Sequence, residues 1–236
     1  MEIVSDNYYN PREEKAKRER SKKETMKSVA FYREMAKDDP DTYEPKVAES
    51  LHHLATLYDC DEREESEPFL MEALEIRRRL CAKNPEKYES AVAETARFLG
   101  MGYNESEHYK TSEKYLIEAL ENYRRCSMRD PATYEPELAM TLYILGMIHN
   151  LNKHYITCEK YYHEALEIFL RPNTNNAEKY EFCLDQIKVL MEDWHNDTAN
   201  LSEHEKLQLE EQELKDRKPE NENIWGDSFA DESDDE

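Results

Sequence analysis

Apolar residues in the middle of this chain recur at helical spacing, and the pattern comes round again. It predicts one helix from about Tyr88 to Tyr103 and another from about Tyr134 to Asn150. Each is followed by a second helical stretch carrying Glu-Ala-Leu, as Glu118-Ala119-Leu120 and Glu164-Ala165-Leu166, with an earlier copy at Glu72-Ala73-Leu74. One phrase punctuates the pairs: Pro40-Asp-Thr-Tyr43-Glu44, Pro85-Glu-Lys-Tyr88-Glu89 and Pro131-Ala-Thr-Tyr134-Glu135, with a degraded copy at Ala177-Glu-Lys-Tyr180-Glu181. The tyrosines stand at 43, 88, 134 and 180, so the steps are 45, 46 and 46 residues. A constant step of this size marks stacked two-helix units, each helix beginning just after its Pro-x-x-Tyr turn.

Aligning the units puts small residues in columns. Ala55, Gly100 and Gly146 share one in the first helix, each preceded by a leucine (Leu54, Leu99, Leu145). Ser66, Ser112 and Cys158 form a column at the start of the second helix, and Ala73, Ala119 and Ala165 form another further on. Glycine costs about 1 kcal/mol inside a helix, so two of the chain's four glycines in one column argue for close helix crossing. Larger neighbours (Tyr58, Tyr103, Leu70, Leu116, Tyr162) are expected between units. At the ends, Arg12 to Lys37 reads as a lone second helix and Tyr180 to His195 as a lone closing first helix, both placed as caps.

Leu99-Gly100-x-x-Tyr103, then Ser112, Leu116, Ala119 and Pro131, stand in the order of the tetratricopeptide motif. Over roughly residues 24–196 the chain resembles that family, with units about a dozen residues longer than usual, like those of the kinesin-light-chain type. The resemblance implies an all-α fold, a right-handed solenoid of antiparallel helix pairs. His149 departs from the motif's aromatic, and the family's Trp near the start of the first helix is absent. The domain layout expected is a flexible N-terminus (1–11), a repeat domain with caps (12–196) and an acidic, largely disordered tail (197–236). Within that tail a weakly amphipathic helix spans 202–217, through Leu207 and Leu214.

The resemblance also implies a function: binding a protein or peptide along the groove lined by the first helices. By column, that groove takes Glu49, His52, Thr56 and Asp59 from the first unit. It takes Glu94, Arg97, Met101 and Asn104 from the second, Met140, Tyr143, Met147 and Asn150 from the third, and Lys188 from the closing helix. Methionine and tyrosine there suit an apolar anchor on an extended peptide or helix. The carboxylate clamp of some tetratricopeptide domains needs converging cations, and His52 with Thr56 does not supply them.

Charge narrows the partners. The formal net charge is −22, with 14 acids against 4 bases over residues 202–236 and 7 bases against 3 acids over 12–23. So acidic a chain disfavours nucleic acid as a partner. No apolar run reaches the roughly 18 residues of a membrane span, and the first residues lack a secretory layout. Five cysteines without a CxxC read as reduced thiols in a cytoplasmic protein. No nucleotide-binding or hydrolase motif occurs, so no enzyme, cofactor or metal is expected; His149, His154, Cys158 and His163 invite a metal but stand in no ligand motif. Trp225 and Phe229 in the acidic tail are candidate docking anchors, for a partner or for the chain's own groove. The alternatives to an adaptor are a self-associating structural repeat and a regulatory subunit of an enzyme complex.

Overall fold

The computed structural model describes residues 11–59, 62–105, 107–171, 180–198 and 201–217. Among the described residues lie nine α-helices and no strand: α1 (Pro11–Asp38), α2 (Pro40–Thr56), α3 (Arg63–Lys83), α4 (Pro85–Glu105), α5 (Tyr109–Arg129), α6 (Pro131–Leu151), α7 (Tyr155–Phe169), α8 (Glu181–Thr198) and α9 (Glu203–Arg217). From α1 to α8 each helix packs on the next. The units are α2–α3, α4–α5 and α6–α7, with α1 as a lone second helix and α8 as a lone first helix. The chain is an all-α solenoid.

The Pro-x-x-Tyr-Glu phrase does more than mark a turn. The first helices start at its proline, three residues earlier than the apolar pattern suggests, so the phrase is the first helical turn itself. The residue before a proline is pushed out of the helical region, and Asp39 and Asp130 accordingly sit at φ −139° and −140°. Each accepts a hydrogen bond at its side chain from the backbone N–H three residues on, Thr42 at 3.2 Å and Thr133 at 3.3 Å. Asn84 does the same for Lys87 at 3.3 Å. Their own backbone N–H groups close the preceding helices, on Met35, Leu80 and Cys126. One residue thus ends one helix and caps the next, while proline fills the position whose N–H would be unpaired anyway.

The glutamate of the phrase has a partner in each unit. Arg79 donates to Glu44 at 2.9 Å, Arg125 to Glu89 at 2.8 Å, and Arg171 pairs with Glu135. A second ladder joins successive second helices: Arg33–Glu72 at 2.5 Å, Arg78–Glu118 at 2.5 Å and Arg124–Glu164 at 2.6 Å. These last acids are the glutamates of the Glu-Ala-Leu triplets. The next position in the arginine column is Leu170, which is exposed, so the ladder stops at α7.

The glycine column is a contact. A Cβ on Gly100 would lie 2.6 Å from Leu116 Cγ, and one on Gly146 would strike the ring of fully buried Tyr162. Leu116 and Tyr162 therefore pack inside their units, not between them as their size suggests. Ser112 donates to the Gly100 carbonyl at 2.6 Å from the facing helix. The alanine column is fully buried at Ala73, Ala119 and Ala165. Between the helices of units two and three the chain turns through Glu107 (φ 62°) and Lys153 (φ 59°), and the next N–H reaches back to Tyr103 and His149. That is the left-handed helix stop usually given to glycine.

Candidate functional site

The side of α2, α4 and α6 that carries the expected groove residues changes character along the stack. At the first unit it is polar and fixed. His52 is buried, with Nδ1 3.4 Å from Thr95 Oγ1 and its ring edge-on to Phe98 at 5.0 Å. Burial, with Arg77 and Arg97 nearby, holds its imidazole down at about 3, so it is neutral. Buried Arg77 donates to the Ala91 carbonyl at 2.8 Å, to Glu94 at 3.2 Å and to the Thr95 hydroxyl. A depression between α2 and α4 is lined by Glu49, His52, Thr56, Arg77, Glu94 and Phe98, among others. Glu49 and Thr56 are exposed beside it.

Further along, the face becomes apolar. Met101, Met140 and Met147 are half-buried, and Tyr143 is buried with its ring tilted on Tyr162 at 6.1 Å. Cys183 of α8 reaches Met140 at 3.9 Å. Arg97 pairs with Glu137 of the next unit at 2.8 Å and places another nitrogen 3.9 Å from the Met101 sulfur. Two polar atoms on this face, Arg97 Nε and Asn104 Oδ1, are buried and have no hydrogen-bond partner among the described residues. Asn150 is half-buried at the far end.

Eleven of the thirteen expected groove residues thus fall on α2, α4 and α6, Asp59 lies just past the end of α2, and Lys188 does not belong with them. Lys188 stands in the column of fully buried Ala96 and Leu142, which face a second helix. Asp185 and Glu192 stand in the columns of Ala93 and Gly100. All three are exposed, and Lys188 pairs with Asp185 at 3.5 Å. This is the polar outer side of the cap. The groove column continues at Val189, which is exposed. Arg77 escaped sequence reading because it lies on a second helix; a cation in the column of Tyr123 and Phe169 was the available signal. Trp225 and Phe229 lie outside the described residues.

The other chemistry is quiet. His149 is buried, with Nδ1 3.4 Å from His154 Nδ1 and Nε2 3.3 Å from the Glu113 carboxylate. Among the described residues no group of three His, Cys, Asp or Glu is placed to hold a metal ion. Cys81, Cys126, Cys158 and Cys183 are free, and burial pushes the Cys158 thiol up to about 12. No helix among the described residues is long and apolar enough to cross a membrane.

A family model described as tetratricopeptide repeat matches residues 47–86, which span most of the first unit and reach the start of α4. The solved structure of BtubC (BKLC) from P. vanneervenii is similar to this chain, with a TM-score of 0.55 and 20% identity over 85% of this chain and 72% of that one. The chain thus carries a tetratricopeptide repeat within a solenoid of long helix pairs. No curated protein matches it. In this chain the first helices supply the mixed face described above, and helix-pair repeat arrays of this kind serve as protein-interaction surfaces.

Proposed function

We propose that the chain is a non-catalytic adaptor that binds an extended peptide along the first-helix face, with its apolar anchor among Met101, Met140 and Met147. The observation that carries this reading is the pair of unpartnered polar atoms, Arg97 Nε and Asn104 Oδ1. Buried polar atoms in native proteins nearly always have partners, so an exception calls for one. Seven residues of α4 separate the two, which is about 10 Å along a helix. Three residues of extended peptide cover about the same length, and a peptide backbone offers both the acceptor that Arg97 needs and the donor that Asn104 needs. Methionine side chains over the strip can move aside at little cost.

The test uses a random peptide display library panned on the full chain. Recovered peptides are titrated against wild type, Asn104→Leu, Met147→Ala and, as a control on the far side of α8, Glu192→Ala. Asn104→Leu removes an unsatisfied group and should leave stability unchanged or raised. It should still weaken peptide binding about tenfold, with Met147→Ala similar and Glu192→Ala silent. Peptides that bind all four proteins alike would place the partner elsewhere.

A further inference from the structure

Among the described side chains, α9 meets the rest of the molecule with its charged side. Lys206, Glu210 and Glu213 form the less exposed stripe of α9, while Leu207 and Leu209 are exposed. Its seat is the N-terminus of α7. Glu213 is 5% exposed, and both carboxylate oxygens are engaged. The Ile156 N–H donates to one at 3.1 Å; the Thr157 N–H and hydroxyl donate to the other at 3.0 and 2.8 Å. One turn on, Lys160 pairs with Glu210.

The N-terminal amides of a helix have no intrahelical acceptor, and His154, the residue before α7, makes no side-chain cap. Glu213 supplies that cap from 56 residues away, where its charge also meets the positive end of the helix dipole. No described side chain of α9 joins the apolar core. A 15-residue helix is marginal in water by itself, and the described contacts that hold α9 are polar, with Glu213 at their centre.

We infer that α9 is a releasable strap and that its seat is a receptor for an acidic helix. The seat reads two carboxylates three residues apart: one by the Ile156 and Thr157 amides with the Thr157 hydroxyl, the other by Lys160. α9 is the resident occupant, and a partner helix with Glu-x-x-Glu spacing competes for the place. This reading does not depend on the groove.

Hydrogen exchange on the full chain tests it, because the Ile156 and Thr157 amides report the seat directly. Glu213→Gln should speed exchange about tenfold or more at those amides and through 203–217, since bonds to a charged acceptor are the strong ones. Glu211→Gln, on the exposed side of the same helix, should change neither. A synthetic peptide of residues 201–217, added to the E213Q chain, should restore protection at 156 and 157. The same peptide carrying E213Q should not. Wild-type exchange in the E213Q chain would overturn the strap. Equal restoration by both peptides, or restoration by neither, would overturn the receptor.

Discussion

Single atoms decide whether these helices can cross. A Cβ at residue 146 would enter the Tyr162 ring, and Tyr162 is fully buried. Gly146→Ala should therefore lose about 1–2 kcal/mol in urea denaturation, because overpacking outweighs the roughly 1 kcal/mol that alanine gains in helix propensity. Gly102→Ala is the contrast. Its Cβ would meet only the flexible side chain of Arg63 at 3.3 Å, so propensity should win and stability should rise by up to about 1 kcal/mol. His52 makes a prediction of a different kind. Its folded pKa is depressed from 6.5 to about 3, so as pH falls the unfolded chain takes up the proton first. The contribution of neutral His52 is whole above about pH 6.5 and drains away down to about pH 3. Between pH 7 and 5 wild type should lose about 2 kcal/mol more than His52→Gln does; parallel pH profiles would show that His52 is solvated in the fold.

Elements are joined by the Asx-Pro hinge and held in register by the arginine ladders, but the rungs are unequal. Arg124 and Glu164 are both substantially exposed, and such a pair contributes less than about 1 kcal/mol. Glu89 is different. Its side chain is 6% exposed and takes Arg125 at 2.8 Å and Arg129 at 2.5 Å. Burial alone would push its carboxyl up, yet the two guanidinium groups hold it below the ordinary range. Glu89→Ala should cost about 2 kcal/mol, and Glu164→Ala should fall within about 0.5 kcal/mol of wild type. Equal costs would mean that the ladder acts as a uniform surface feature and that burial at the α4 start adds nothing.

At the scale of the molecule, each helix touches chiefly its neighbours, so stability is local along the array. Ile187 is fully buried on α8, the last first helix. Ile187→Ala should open that end first: exchange in residues 181–198 should rise by one to two orders of magnitude while α4 and α5 keep theirs, as expected for about 2 kcal/mol or more lost from one unit. A uniform rise along the chain would instead show one cooperative core. The polar outer side of α8, with Asp185, Lys188 and Glu192 where inner units have Ala, Ala or Leu, and Gly, fits an element that meets solvent.

Much of this was legible without coordinates. The 46-residue step, the Gly100/Gly146 column and the Asx-Pro phrase determined a stack of helix pairs, because periodicity, close crossing and pre-proline geometry are properties of the chain itself. Which residues share a face of α2, α4 and α6 followed from the same alignment. Burial within a column did not. His52, Arg97 and Tyr143 share one, yet only the packing makes the first a neutral buried ring, the second an inter-unit ion pair and the third a core tyrosine. Lys188 stands one residue before the groove column, which continues at Val189; its own column is buried at Ala96 and Leu142 and exposed on α8. Glu213, an acid among the 14 in the last 35 residues, gave no local sign of being the cap of α7. The sequence by itself determined which residues are helical and which faces repeat. Only the tertiary structure decided which polar groups are buried and which distant residues pair, because pairing 56 residues apart depends on where the folded chain returns and leaves no period in the sequence.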